Sequence, residues 1–487
     1  MTGRSILFPE GGHASSSAVA LYNRMPPVVQ NLLITAKGIF LARKRYSHSY
    51  RTYLDALMRS QWLTAAEFSE LQSTLLRGLL AEAVASTAYY ARTLSRWRPR
   101  IETMALEELS ELPIVEPKQL RMQIHEFINA DRVRRYGADE GHTSGTSGAP
   151  MVWPYDWDSM RRNLAFRERQ YRWAGLTGLE TSIRFSGRVI LGDNPGPPYW
   201  RQNVAERQWF FSVYHMSQEA LPRYYEQLIR IGPAYLDGYP SALFRLARWI
   251  NTHGLSGRWR AWAVITTAET LGKAQRVEIE RAFGCRVYDY YSSSEGAPYI
   301  TQCSAGGKHV NPESGIVEIL RDDGSPADPG EIGHMVVTSF YQRTLPLIRY
   351  KIGDMARWAT DTPCPCGRSM PLIEQVEGRE QDCLYTDEAG WVGSAGLSTA
   401  LYVLPGRIET AQIEDMGHAR FRVTYVPLGA LLSAQEVEVL ASALRARLGP
   451  SATIEVVSVS EPVHSARGKV RLVIPAGRGS GGPVAGR

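Results

Sequence analysis

The feature that most restricts how this chain can fold is a change of texture at Ile101. Beyond it, short β-branched runs alternate with helical patterns: Val264 to Thr267, Arg286 to Tyr290, Ile316 to Leu320 and Met335 to Phe340. Alternation of this kind specifies an α/β domain. Before it, residues 1–110 read as helical. The stretch from Glu67 to Leu94 carries Leu71, Leu75, Leu79 and Leu80 at near-helical spacing, one buried stripe. A segment opening at Leu21 is broken by Pro26-Pro27 and then resumes. A second change falls near Gly378–Asp382. After it, Phe421 to Val426 and Thr453 to Val459 read as strands. Between them, Ser433 and Glu436 have capping-box spacing ahead of the apolar stripe Val437, Leu440, Leu444 and Leu448. The expected organisation is a large N-terminal unit (1–380), a small α+β unit (381–476) and a Gly-rich tail (477–487) expected to be disordered.

Composition removes several classes. Hydrophobic residues make up 44% and charged residues 21% of 487, a balance suited to a folded chain. The net charge is +6, a mild bias that favours small anionic ligands and gives no sign of a nucleic-acid partner. No window holds about 18 uninterrupted apolar residues, so no transmembrane helix is expected; no membrane partner is expected either, a peripheral membrane protein being the weaker alternative, resting only on the basic residues near Arg43. The apolar stretch from Leu32 to Ala42 is interrupted by Lys37. The N-terminus lacks the pattern of a secretory signal, and five cysteines cannot staple a chain this long. The expected compartment is the cytoplasm.

Several segments carry chemistry. In Thr143-Ser144-Gly145-Thr146-Ser147-Gly148-Ala-Pro150, glycines allow tight turns that present consecutive N–H groups to an anion, and hydroxyls add donors. Tyr291-Ser-Ser-Ser294-Glu295-Gly296 sets three hydroxyls before a carboxylate, a group able to hold a phosphate and an oxygen-seeking Mg²⁺. Pro346 to Asp354 ends a probable strand on a carboxylate that could accept two ribose hydroxyls. Glu377-Gly378-Arg379 lies at the suspected boundary, and Ser465 to Lys469 places a lysine on a Gly-bearing loop. Taken singly, each is ordinarily a loop or a solvated charge. Arg43-Lys44-Arg45 reads as a solvated helix face in preference to a phosphate patch. Trp153 to Tyr214 is crowded with aromatics, which serve as core or as the wall of an organic-acid pocket.

In this order the motifs resemble those of the adenylate-forming ligases. Tyr89-Tyr90 followed by Leu112-Pro-Ile114, Phe211 to His215, Gly238-Tyr-Pro-Ser241, Cys364-Pro-Cys-Gly-Arg368 and Pro26 to Gly38 are similar to the phenylacetate–CoA ligase-like branch, particularly its capsule-biosynthesis-type members. The resemblance spans about residues 20–475. It implies an α/β fold, a large domain of mixed sheets and helices with a small mobile α+β domain behind it. It implies that Thr143 to Gly148 hold the ATP phosphates and that Ala268 and Glu269 lie against adenine. Tyr291 joins the nucleotide contacts, while Ser294 and Glu295 serve phosphate and Mg²⁺. Asp354 takes the ribose, Arg379 meets the nucleotide near the hinge, and Lys469 reaches in during adenylation. Many relatives carry a lysine between the glycine and proline of the phosphate loop, where this chain has Ala149. The pivot falls on Gln381 or Asp382.

The reaction so implied activates a carboxylic acid with ATP to an acyl-adenylate, then transfers the acyl group to CoA, or alternatively to an amine. A protein that only binds nucleotide would have no evident need for Glu295, Asp354 and Lys469 together. The aromatic-rich stretch favours an aromatic acid, with His215 and Tyr239 as candidate pocket residues. Cys303, His309, Cys364 and Cys366 would complete a tetrahedral Zn²⁺ shell with no open position, a structural site; ordinary reduced thiols are the alternative. Relatives in the resembling branch carry such a site. Cys285 and Cys383 read as packing residues.

Overall fold

The computed structural model describes residues 16–142, 151–192, 196–296, 298–401, 403–404, 406–463 and 471–474. Four helices open it: α1 (Ser16–Arg24), α2 (Pro27–Arg45), α3 (His48–Ser60) and α4 (Ala65–Ser86). Proline at the first position of α2 has a preset φ and no N–H to waste there, so the helix restarts at Pro27. Thr64 and Glu67 form a capping box that starts α4. The buried stripe of α4 runs through Leu76, Leu79, Leu80 and Ala83, with Leu71 and Leu75 at its margin. The helical stretch expected to reach Leu94 breaks at Thr87. Its backbone is extended, and its hydroxyl donates to Ala83 O (2.7 Å) and accepts from Tyr90 N, which starts a second helix at Ala88.

After a two-stranded pair, β1 (Ala138–His142) and β2 (Val152–Asp156), comes the main sheet. Its strands are β3 (Ser182–Ser186), β4 (Trp200–Asn203), β5 (Gln208–Ser212), β6 (Tyr235–Gly238), β7 (Val264–Thr267), β8 (Val287–Tyr291), β9 (Ile300–Gln302), β10 (Lys308–Val310), β11 (Gly315–Leu320), β12 (Gly333–Ser339), β13 (Tyr350–Trp358) and β14 (Leu372–Arg379). The spatial order is β11-β12-β13-β14-β10-β9-β8-β7-β6-β3-β5-β4. Strands β5, β3, β6, β7 and β8 run parallel. From β8 through β9, β10 and β14 to β11, each pair is antiparallel. The fold is therefore α/β with a mixed sheet.

Two packings hold this sheet. Helices Leu221–Ile231, Pro240–Thr252 and Lys273–Phe283 cover one face of the parallel half with Tyr224, Leu228, Leu243, Leu246, Ile279 and Phe283. The antiparallel half buries Met335, Val337, Ile348 and Ile352 against α4 and the segment that follows it. A single turn, Glu380–Asp382, leaves β14 for the pair β15 (Leu384–Thr386) and β16 (Gly390–Val392). A further sheet follows from β17 (Ile408–Asp415), β18 (Arg420–Pro427), β19 (Thr453–Ser458) and β20 (Val473–Ile474), in the order β19-β18-β17-β20. The helix Ala434–Leu448 starts on a Ser433–Glu436 capping box and buries Leu440, Leu444 and Leu448. Among the described residues, no helix is long and apolar enough to cross a membrane.

Candidate active site

The parallel strands all point their carboxyl ends to one edge, and the loops that leave this edge carry several of the candidate site residues. Tyr214 and His215 follow β5, Tyr239 follows β6, Ala268 and Glu269 follow β7, and Ser294 and Glu295 follow β8. The strand order diverges at β3, which has β5 on one side and β6 on the other. Ligands of open α/β sheets sit in the crevice outside the carboxyl ends at such a point.

At β3 the crevice is aromatic. Tyr214 donates its hydroxyl to Gly187 O (2.8 Å), directly after β3. A Cβ on Gly187 would lie 2.7 Å from the Tyr239 hydroxyl oxygen, so glycine is what lets that ring come so near the strand end. His215 Nδ1 lies 2.7 Å from Ser212 Oγ, and its ring stacks on Tyr199 with centroids 6.2 Å apart and planes 12° off parallel. Sequence reasoning named His215 and Tyr239 and missed Gly187, Tyr199 and Tyr214. Tyr214 lay inside a quoted motif, but nothing local marks Gly187.

Past β7, Ala268 has a φ of 67°, a left-handed conformation that a residue with a Cβ rarely adopts. Such a position costs about 1–3 kcal/mol and persists only where its surroundings enforce it, which is common at ligand sites. Glu269 Oε2 accepts from Ser241 N (3.0 Å), tying the loop after β7 to the start of the helix after β6.

Beyond β8 the crevice becomes charged. Tyr291, Asp354 and Arg379 come from three separate motifs and meet. Asp354 does not end its strand, as the sequence suggested; it lies within the nine-residue β13, because the sheet-forming pattern runs on through Met355 and Ala356 to Trp358. Antiparallel register sets Asp354 opposite Arg379 on β14. Arg379 Nε lies 2.9 Å from Asp354 Oδ1, and Arg379 Nη1 donates to Ile352 O (3.0 Å). The Tyr291 hydroxyl donates to Asp354 Oδ2 (2.6 Å). Burial raises the Asp354 carboxyl above its usual range, opposed by Arg379 and by the Tyr291 hydrogen bond. Burial, with the Asp354 charge, holds the Tyr291 phenol well above its usual value, so it remains a donor. Glu295 is buried while Ser294 beside it is exposed. Burial raises the Glu295 carboxyl as well, with Arg379 as the chief opposing charge.

A second cluster lies on the adjoining antiparallel strands. Cys303 follows β9, His309 is on β10, and Cys364 and Cys366 are in the loop between β13 and β14. Their four ligand atoms lie within 4.8 Å of one another. Cys303 Sγ to Cys364 Sγ is 3.6 Å, and Cys366 Sγ to His309 Nε2 is 3.3 Å. Tetrahedral zinc with about 2.3 Å bonds to sulfur and about 2.0 Å to nitrogen would separate its ligand atoms by roughly 3.4–3.8 Å, so the donor set fits that ion. His309 Nδ1 is 3.4 Å from Met370 O, the partner a metal-bound imidazole commonly has. Burial lowers His309 to about 4, which keeps the ring neutral, as a ligand must be. A Cβ on Gly307 would lie 2.6 Å from Cys364 Sγ, so only glycine leaves the thiols room. Phe68, Trp173, Met370 and Leu372 pack around the cluster.

The phosphate-loop residues Thr143, Ser144, Gly145, Thr146, Ser147 and Gly148, together with Lys469 and the tail 477–487, lie outside the described residues. Arg43-Lys44-Arg45 ends α2. Arg45 faces Glu206 at 3.8 Å, and the Lys44 ammonium lies over the Phe40 and Trp157 rings.

No family model matches the chain. Protein CapK of Staphylococcus aureus is 28% identical over 382 residues, 78% of this chain and 82% of its own length. The phenylacetate-coenzyme A ligase of Thermus thermophilus is 29% identical over 323 residues, 64% of this chain and 71% of its own length. Among solved structures, 2-hydroxyisobutyryl-CoA ligase in its postadenylation state, in complex with R3-HIB-AMP, shares the fold with a TM-score of 0.68 at 19% identity, over 86% of this chain and 91% of that one. With the ordered motifs, and with the corner in which three of them meet, these likenesses support a place among the adenylate-forming ligases, in their phenylacetate–CoA ligase-like branch, and an enzyme of that class.

Proposed function

We propose that this enzyme activates an aromatic carboxylic acid with ATP and passes the acyl group to coenzyme A. The observation that carries the reading is the meeting of Tyr291, Asp354 and Arg379 beside Glu295 at the carboxyl edge of the sheet. In the first step a carboxylate oxygen of the acid attacks the α-phosphorus. The bond from that phosphorus to the β-phosphate oxygen breaks, and pyrophosphate leaves. In the second step the thiol attacks the acyl carbon, AMP leaves on its phosphate oxygen, and the thiol proton passes to solvent. The acid is already ionised, so the first step asks mainly for positioning and charge neutralisation. Asp354 is assigned to the ribose hydroxyls, held in place by Tyr291 and Arg379. Thr143 to Gly148 are assigned to the phosphates, Ala268 and Glu269 to the adenine side, and Lys469 to the charge developing at phosphorus.

Glu295, with Ser294 beside it, would hold Mg²⁺. A buried carboxylate whose chief offsetting charge among the described residues is Arg379 suits a divalent cation, and that ion would supply charge neutralisation to the phosphates. Cys303, His309, Cys364 and Cys366 would hold one structural Zn²⁺. The acid pocket is assigned to the crevice at β3, where Tyr199, Tyr214, His215 and Tyr239 offer ring faces to an aromatic group. CoA as acceptor rests on the similarity to a phenylacetate-coenzyme A ligase.

The test is ATP–pyrophosphate exchange across a panel of carboxylic acids with Mg²⁺, followed by mass spectrometry with CoA or with amines. The expected result is exchange with aromatic acids and a CoA thioester. Exchange with no acid despite ATP binding overturns the catalytic reading, and an amide formed without CoA overturns the acceptor.

A further inference from the structure

Helix α2 is turned inside out. A helix on a protein surface normally shows solvent its polar face. The inner face of α2 carries Gln30, Ile34 and Gly38, and a Cβ on Gly38 would lie 2.4 Å from the Asn203 side chain of β4. That side is fully used. The outward side carries Val28, Val29, Leu32, Leu33, Ile39 and Phe40. Val28 is 69% exposed, Leu32 64%, Ile39 46% and Phe40 58%. At 19 residues the helix is about 28 Å long, so this is a continuous apolar stripe and not one stray side chain.

The charge around the stripe is one-sided. From residue 11 to residue 54 there is no Asp or Glu, while Arg24, Lys37, Arg43, Lys44, Arg45 and Arg51 are present. Arg24 precedes the stripe and Arg43 closes it, both exposed. A second copy docking by two-fold symmetry would set this cationic segment against itself; the segment carries no carboxylate, and Glu206, outside it, already faces Arg45 at 3.8 Å. An apolar stripe rimmed by cations instead matches a surface that is negative outside and apolar beneath.

We propose that the outward face of α2 docks on an anionic phospholipid bilayer, lying in the interface without crossing it. Val28, Leu32, Ile39 and Phe40 enter the headgroup–acyl boundary while Arg24 and Arg43 meet lipid phosphates.

The test is flotation of the full chain with vesicles of phosphatidylcholine alone and with about 40% phosphatidylglycerol, at about 50 mM and about 500 mM salt. The expected result is recovery with anionic vesicles at low salt, at least about 10-fold weaker at high salt or on the neutral lipid. Leu32→Asp combined with Ile39→Asp should reduce anionic binding by about 10-fold or more, with melting temperature and pyrophosphate exchange unchanged. Arg24→Glu combined with Arg43→Glu should cost about as much. No binding to either vesicle overturns the proposal, and so does equal binding to both. A dimer that Leu32→Asp dissolves would assign the face to a second copy. A lowered melting temperature in the Asp variant would show the stripe covered within the chain. Either of these results also overturns it.

Discussion

Two groups of buried polar side chains share β13 and β14 and the turns around them, yet their energetics are opposite. At the nucleotide corner, burial pushes Glu295 and Asp354 toward their neutral forms, and Arg379 is the main cation opposing this for both. Among the described residues, two buried carboxyls there face one chief guanidinium. At the Cys/His cluster, four donors converge on one point with glycine left where a side chain would intrude. The first arrangement is costly without a partner and suits a site that binds and releases its ligands. The second, with a zinc bound, would have a four-ligand shell and no position for a reacting group. Chemistry is thus assigned to one end of these strands and rigidity to the other.

The sharpest way to break this division is to remove the charge assigned to the transition state. Lys469→Ala should lower adenylation by about 100-fold or more while ATP affinity changes little, because an interaction made chiefly in the transition state costs turnover and not ground-state binding. Pre-steady-state pyrophosphate release beside ATP titration checks this. Equal losses in both would move Lys469 to ground-state binding.

Cys364→Ser attacks the other side. Metal content should fall from about one zinc to near zero, and stability by about 2–4 kcal/mol, with the choice of acid unchanged. Metal analysis and denaturant melts of chelator-washed protein give the readout. A shift in acid preference at intact stability would show that the two regions are not separate.

What could be read beforehand divides along similar lines. Local chemistry was legible: the capping box at Ser433 and Glu436, the helix restart at Pro27, and the hydroxyl-rich turn before Glu295 are each written within a few consecutive residues. Of the stripe of α4, Leu79 and Leu80 are buried as expected, while Leu71 and Leu75 are half-buried and the buried Leu76 was missed, because a run rich in leucine offers two neighbouring faces to the same spacing rule. Nor does a single motif announce that Asp354 faces Arg379. That pairing depends on the register of β13 against β14, which slips between Met355 and Ala356. The closeness of Cys303 to Cys364, 61 residues apart, depends on the same long-range pairing. In the aromatic crevice at β3, where His215 and Tyr239 were legible, Gly187 escaped for a third reason: it matters there only because Tyr239 arrives from another strand.

A finer test asks how far Tyr291 serves Asp354. Tyr291→Phe removes one hydrogen bond to a charged group, worth about 1.5–3 kcal/mol. KM for ATP should rise by about 10-fold, with a smaller change in turnover if the phenol only positions the ribose-binding carboxylate. The matching control is the cluster, whose zinc content should not change. An unaltered KM would detach Tyr291 from the corner.

The smallest effect is the most direct measure of the cost of burial at the corner. The Glu295 carboxyl is raised by burial, so the folded protein holds this proton more tightly than the unfolded chain does. Its contribution to stability is therefore fully present below the unfolded pKa and is lost as pH rises through the folded one. Above the unfolded pKa, burying this carboxyl therefore carries a cost that a neutral amide would not impose. Glu295→Gln should accordingly make the ligand-free protein more stable at pH 7, by about 0.5–2 kcal/mol, the usual gain where a functional site holds an unfavourable group. Below about pH 4 the two proteins should converge, because both side chains are then neutral. Adenylation should fall in the same variant, since the amide cannot supply the carboxylate assigned to the cation. Denaturant melts from acid to neutral pH, with chelator present, follow the difference directly. A variant less stable than its parent at pH 7 would mean that Arg379 already balances the corner, and the contrast with the closed cluster would be lost.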